Sequence, residues 1–174
     1  DYRNLEQRVL DVLPPEPVDG IGFSMGSQVL LWLAAHHPER FGRLVLSGIG
    51  RNIFESDAEW RPKMVEAVRT GVAATPELRY FAQLPEAPDA DRTALVSFLE
   101  RPDRRKFPPE LLASVTLPVL VVIGGADLAG PADPLVEALP DASLVVLPGV
   151  DHFATPKNFS FIEAALDFID AQPF

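Results

Sequence analysis

Ser24 lies at the centre of Gly22-Phe23-Ser24-Met25-Gly26, a G-x-S-x-G string. An apolar run, Val18 to Phe23, leads into it, and a helical run, Gln28 to Ala35, leads out. A serine at such a strand-to-helix turn can serve as a nucleophile, because a strained backbone lifts its hydroxyl clear of the sheet. Side chains two residues to either side would collide across so tight a turn, which is the reason expected for Gly22 and Gly26. The helix that starts just after Ser24 directs unpaired N–H groups and a positive dipole end to where an oxyanion would form.

A different chemistry competes for the same glycines. Gly20-x-Gly22-x-x-x-Gly26 is also similar to a dinucleotide-binding loop, which requires an acidic residue at the end of the next strand to hold a ribose. That strand, Leu44-Val45-Leu46, runs into Ser47-Gly48-Ile49-Gly50 and offers no acid. The nucleophile reading is the stronger one.

A serine nucleophile needs a base, and the chain has three histidines, His36, His37 and His152. The first two close the helix after Ser24, roughly 18 Å from its hydroxyl at 1.5 Å per residue. They suit the C-terminal end of a helix dipole, ahead of the helix-stopping Pro38. His152 follows the apolar strand Ser143 to Leu147 and the turn Pro148-Gly149, on the kind of loop that forms the ligand crevice of an open parallel sheet. It is the expected base. The strand Pro118 to Ile123 ends in Gly124-Gly125-Ala126-Asp127, which brings a carboxylate to the same edge. Asp127 could hold the imidazole tautomer and stabilise the imidazolium. An aspartate after a strand also serves turns, but the chain order Ser24, Asp127, His152, each after a parallel strand, favours catalysis. Asp133 is the reserve acid, and Asp151 reads as a solvated loop charge.

These segments together resemble the α/β-hydrolase family. The resemblance rests on Ile21 to Gly26, the turn His37-Pro38-Glu39-Arg40-Phe41, Pro118 to Asp127, and Leu147 to Phe153. It implies a serine hydrolase that is acylated on Ser24 by an ester or related acyl substrate and then released by water. The backbone N–H of Met25 would be one oxyanion donor. C–C bond hydrolysis, lactone opening and peracid formation use the same residues, and a non-catalytic binding or assembly module is the competing class. Two departures are Ser27, where many relatives carry a third small glycine, and Asp151, where glycine commonly precedes the histidine.

The expected architecture is α/β: a mostly parallel sheet of about four strands, near 18–23, 43–48, 118–124 and 143–148, flanked by helices. Residues 1–50 and 106–174 form this partial α/β-hydrolase core. Tyr2 to Leu13 read as one helix, with Leu5, Val9, Val12 and Leu13 on one face. The family places several strands before its elbow, and a loop among them supplies the other oxyanion N–H. The chain is therefore expected to be the C-terminal portion of such a fold. A missing N-terminal segment, another chain or a homodimer contact would pair with the open edge of the elbow strand.

Residues 51–105 are far longer than an ordinary crossover and read as a helical cap. Ser56-Asp57-Ala58-Glu59 is a capping box opening a helix that stops at Gly71. Thr75-Pro76-Glu77 caps a second helix and Asp91 a third, whose inward residues would be Leu95, Val96, Phe98 and Leu99. Pro108-Pro109-Glu110 starts a short helix before the third strand, and Arg101 to Lys106 read as a solvated linker. By the resemblance the cap would cover the site, with Phe54, Trp60, Met64, Tyr80 and Phe81 as candidates for an acyl or alcohol pocket. Phe23 and Phe153, beside the nucleophile and base in sequence, complete the substrate-binding candidates. The alternative is that the cap residues only pack helices together.

Composition narrows the partners. At 174 residues and 47% apolar content, the chain has one domain's worth of core. A net charge of −10 argues against nucleic acid and anionic membranes. The absence of cysteine excludes disulfides and thiol catalysis and fits a cytoplasmic protein. No His, Asp and Glu grouping has metal-ligand spacing, so neither metal nor cofactor is expected. The substrate is expected to be a small, neutral and moderately apolar acyl compound.

Overall fold

The structure, a computed structural model, describes residues 4–55, 59–100 and 106–171. These fall into two compact units. Residues 4–55 and 106–171 form one, and residues 59–100 the other.

The first unit is built on four parallel strands, β1 (Val18–Phe23), β2 (Phe41–Ser47), β3 (Val119–Gly124) and β4 (Ala142–Leu147), in the spatial order β1-β2-β3-β4. All six residues of β3 are buried. That suits its uninterrupted Val-Leu-Val-Val-Ile run, since a strand covered on both faces needs no polar alternation. The edge strand β1 alternates in exposure instead, and β4 is fully buried only at Leu147.

Side chains of the inner strands divide by parity, as a pleat requires. Leu44, Leu46, Val119, Val121 and Ile123 meet Val29, Leu31 and Leu33 of helix α2 (Met25–His36). Val45, Leu120 and Val122 meet Phe161 and Ala165 of helix α8 (Phe159–Phe168). Three more helices belong to this unit: α1 (Leu5–Val12), α6 (Pro109–Ala113) and α7 (Asp133–Ala138). The helix read from Tyr2 to Leu13 thus spans Leu5–Val12, with Tyr2 and Arg3 outside the described residues.

Leu5, Val9, Leu10 and Leu13 pack on the core, whereas Val12 is exposed, so the apolar face of α1 is turned toward Leu10 and away from Val12 relative to its expected pattern. The helix after Ser24 begins at Met25 rather than Gln28. Gly26 and Ser27 are weak helix formers, but the elbow commits them to the first turn.

The sheet aligns the carboxyl ends of its strands. Phe23 pairs with Ser47, Ser47 with Val122, and Gly124 with Leu147. The loops after β1, β3 and β4 consequently leave the sheet at one edge, where open parallel sheets bind ligands. Among the described residues, strand β1 has a neighbour on one side only. Beside it lies a groove with a volume of about 290 Å³, lined by Leu5, Val9, Ile21, Met25, Val29 and Leu30 among others. Ile21 is 46% exposed there.

The second unit holds helices α3 (Trp60–Thr70), α4 (Pro76–Gln83) and α5 (Arg92–Leu99). Helix α3 begins at Trp60. Ser56, Asp57 and Ala58 of the expected capping box lie outside the described residues, as do Arg101 to Arg105 of the expected linker. Gly71 closes α3 in the left-handed conformation, with φ 74° and its N–H donating to Ala67 O at 2.9 Å. Thr75 precedes Pro76 at the head of α4, close to Glu77. The Thr75 hydroxyl, and secondarily the N–H of Glu77 itself, lowers the Glu77 pKa below the ordinary glutamate value. Asp91 caps α5, its Oδ1 accepting from Ala94 N at 3.1 Å. Leu95, Val96, Phe98 and Leu99 are half-buried. Ala67, Leu78 and Ala82 form this unit's own core, with Trp60, Met64 and Phe81 packed against it.

Candidate active site

Ser24 sits at φ 51° and ψ −111°, a backbone conformation that L-residues avoid. Holding a non-glycine residue in such a region costs about 1–3 kcal/mol and persists only where surrounding contacts enforce it. The contacts are visible. Ser24 N–H donates to Ser47 O at 2.7 Å, and Ser24 O accepts from Gln28 N at 3.2 Å. A Cβ on Gly22 would lie 2.7 Å from Ser27 N and 2.8 Å from Ser27 Cα, so only glycine fits there. The same reason does not hold for Gly26. A Cβ there would meet no described atom within 4 Å, because Gly26 faces the groove beside β1.

Asp127 and His152 meet because their loops are laced together. Gly125 N–H donates to Leu147 O at 2.7 Å and Ala126 N–H to Val150 O at 3.0 Å. A side chain on Gly124 would collide with the Val150 carbonyl, so glycine at the end of β3 permits the approach. His152 Nδ1 stands 2.9 Å from Asp127 Oδ1 and 3.1 Å from Oδ2. Asp127 Oδ1 also accepts from Ala129 N at 2.8 Å. The carboxylate is fully buried and the imidazole nearly so. An ionised carboxylate only accepts hydrogen bonds, so this pairing selects the tautomer with the proton on Nδ1. Nε2 is then an acceptor, and it lies 3.2 Å from Ser24 Oγ. The three side chains form one relay from a half-exposed hydroxyl to a buried carboxylate.

Around the imidazole, Phe23 lies with its ring centroid 4.8 Å away and Phe153 at 5.0 Å, edge-on. Both aromatic candidates, Phe23 at the end of β1 and Phe153 in the loop after β4, therefore touch the imidazole. Met25 is the first residue of α2, so its N–H has no acceptor within its own helix and stands beside Ser24. Phe54 is 42% exposed in the same unit. Trp60, Met64, Tyr80 and Phe81 belong to the helical unit, where Phe81 makes edge-to-face contacts with Trp60 at 6.3 Å and with Tyr80 at 6.2 Å. Tyr80 is 42% exposed.

The remaining candidates stand apart from the relay. Asp133 is exposed in the first turn of α7, and Asp151 accepts from Ala154 N at 2.8 Å in its own loop turn. His36 stacks on Trp32 at 3.9 Å between ring centroids, and His37 ends α2. Among the described residues no group of three His, Cys, Asp or Glu could hold a metal ion, and no helix is long and apolar enough to cross a membrane.

Three residues at the site escape sequence reasoning: Ser27, Ser47 and Gly48. Ser27 Oγ is buried and bonded to Ser47, and Gly48 faces His152. The available signal was positional, since β2 ends beside the elbow at Ser47-Gly48.

The fold and this relay define a chain of the α/β-hydrolase class. It belongs to the alpha/beta hydrolase family, whose model matches residues 1–170. Among curated proteins it is similar to the pimeloyl-[acyl-carrier protein] methyl ester esterase of Neisseria meningitidis serogroup A. The two are 32% identical over 164 residues, covering 78% of this chain and 51% of that protein. The protein of the same name from serogroup C of that species is 31% identical over 140 residues, covering 66% of this chain and 53% of its own length. This chain thus spans about half the length of the curated relatives it matches. In fold it resembles the enol-lactonase from Burkholderia xenovorans LB400, with a TM-score of 0.75 at 24% identity over 97% of this chain and 73% of that one.

Proposed function

We propose that this chain carries the nucleophile, base and orienting acid of a serine hydrolase that cleaves a carboxylic ester through an acyl-enzyme on Ser24. The observation that carries the reading is the continuous contact from Ser24 Oγ through His152 to buried Asp127. In this scheme Ser24 Oγ attacks the ester carbonyl while its proton passes to His152 Nε2. Asp127 keeps the imidazole oriented and stabilises it as imidazolium. The carbonyl oxygen becomes an oxyanion held by the N–H of Met25 at the positive end of α2. Collapse expels the alkoxide, which takes the proton back from His152 as the alcohol. Water, deprotonated by the same imidazole, then releases the acid and restores Ser24.

The names of the curated relatives favour a methyl ester as the substrate class. We include in this proposal that the second oxyanion donor comes from a further segment or chain pairing along the open edge of β1. Phe54, whose ring is 42% exposed in the same unit as Ser24, is a candidate contact for the ester.

Labelling of the full-length protein with a fluorophosphonate probe tests the reading. Labelling that disappears in Ser24→Ala is expected, followed by hydrolysis of short-chain methyl esters that His152→Ala abolishes. Failure of the wild-type protein to label would instead leave the fold as a binding or assembly module.

A further inference from the structure

The buried hydroxyl of Ser27, in the first turn of α2, makes two hydrogen bonds to a single residue of β2. It donates to Ser47 O at 2.7 Å, and it accepts from Ser47 N–H at 2.9 Å. Both residues are fully buried. The carbonyl of Ser47 that receives the Ser27 hydroxyl also receives the N–H of Ser24 at 2.7 Å. One peptide group at the end of β2 thus fastens both the nucleophile and the first turn of its helix.

Two consequences follow from where that peptide lies. Ser24 is strained, and such a residue relaxes unless its neighbours over-determine it. Its own N–H bond supplies one restraint, and the Ser27 hydroxyl supplies a second that acts from the other side of the elbow. The chain then passes from Ser47 directly to Gly48. A Cβ at Gly48 would stand 2.9 Å from His152 Cε1 and 2.7 Å from the ring of Phe23, so this glycine is the surface against which the base rests. The link from Ser27 to Ser47 therefore joins the backbone that carries the nucleophile to the backbone that seats the base.

We infer that Ser27 is a positioning residue: its hydroxyl, acting through Ser47, sets Ser24 Oγ at hydrogen-bonding distance from His152 Nε2. This rests on Ser24 being the nucleophile. The effect is one of orientation, so Ser27 makes no contact with substrate. Loss of the hydroxyl leaves the buried N–H and C=O of Ser47 each short of one partner, and frees the first turn of α2 to shift.

The test uses the full-length protein and three variants: Ser27→Ala, Ser27→Cys and Phe41→Leu. Phe41 is a buried core residue at the opposite end of β2, so its variant reports the effect of lost stability alone. The readings are the rate constant for fluorophosphonate labelling of Ser24, kcat and KM on a methyl ester, and Tm. Ser27→Ala, which removes both bonds to Ser47, is expected to lower the labelling rate and kcat together by at least about tenfold, with KM unchanged. Ser27→Cys, which keeps the volume with a weaker donor and acceptor, should fall between. Phe41→Leu should lower Tm while kcat stays within about twofold.

A Ser27→Ala protein that reacts at the wild-type rate overturns the inference. So does a loss of kcat that Phe41→Leu reproduces at an equal fall in Tm. If Ser27→Ala does not fold, Ser27→Cys decides, and a wild-type rate there is equally fatal. Ser27 failing alone leaves the enzyme reading intact, whereas an unreactive wild-type protein removes both.

Discussion

Gly48 and His152 are packed so closely that a single added methyl group would stand 2.9 Å from the Cε1 atom of the imidazole. Gly48 also holds φ 67°, a conformation that strains any residue with a Cβ. Gly48→Ala is expected to displace His152 from Ser24 and to cut the proposed ester hydrolysis by at least tenfold, with a fall in Tm from the backbone strain. A steady-state assay beside a thermal melt checks both. Unchanged turnover would show that the imidazole is not seated by this glycine.

Asp127 accepts from His152 through both carboxylate oxygens, so its charge and its acceptor capacity act together. Asp127→Asn keeps the shape but presents an amide group that can donate, which allows the imidazole to adopt the wrong tautomer. A loss of kcat on the order of 10⁴-fold is expected, with little change in KM. A loss below tenfold would point to another acid as the orienting group.

In the helical unit, Trp60 and Phe81 meet edge to face over the small core of Ala67, Leu78 and Ala82. Phe81→Ala should destabilise the protein by about 3–5 kcal/mol if the ring is mainly a packing element. Tyr80→Ala, at a ring that is 42% exposed and meets Phe81 edge to face, should cost less stability than Phe81→Ala, and a substrate-binding role for Tyr80 requires KM to shift across a series of ester chain lengths. Denaturant melts and a substrate panel separate the two roles, and a flat KM for Tyr80→Ala would remove it from the substrate-binding candidates.

Glu77 provides a prediction with a definite sign in pH. Its folded-state pKa is lowered, first by the Thr75 hydroxyl. A depressed carboxyl contributes stability above its unfolded pKa, and that contribution is lost as pH falls through the folded value. Thr75→Ala should raise the Glu77 pKa toward the ordinary glutamate value, read by NMR titration, and should make the acid limb of the stability curve less steep. An unmoved titration would show that the Thr75 hydroxyl is not the cause.

The buried leucines of β2 test the core directly. Leu44→Ala removes a fully buried side chain between α2 and the sheet. It should cost about 2–5 kcal/mol in a denaturant melt.

Much of this protein is determined locally and can be read from the chain. Apolar runs bounded by glycine and proline mark the four strands, because strand formation follows period and turn chemistry over a few residues. The G-x-S-x-G turn marks Ser24 for the same reason, and the scarcity of histidine leaves His152 as the expected base. Other features depend on what comes near in space. Whether Asp127 or Asp133 faces His152 is decided by backbone bonds between the loops after β3 and β4, which join residues far apart in sequence. The roles of Gly22 and Gly26 look alike in the motif, yet only Gly22 meets the backbone of Ser27, and Gly26 opens onto the groove beside β1. Ser27 itself appeared only as a departure from a familiar pattern. Its two bonds to Ser47 exist because parallel register brings the end of β2 against the elbow. Local residue types name the candidate reactive groups, and packing across the sheet selects which of them meet, since hydrogen bonds of about 3 Å need that close approach.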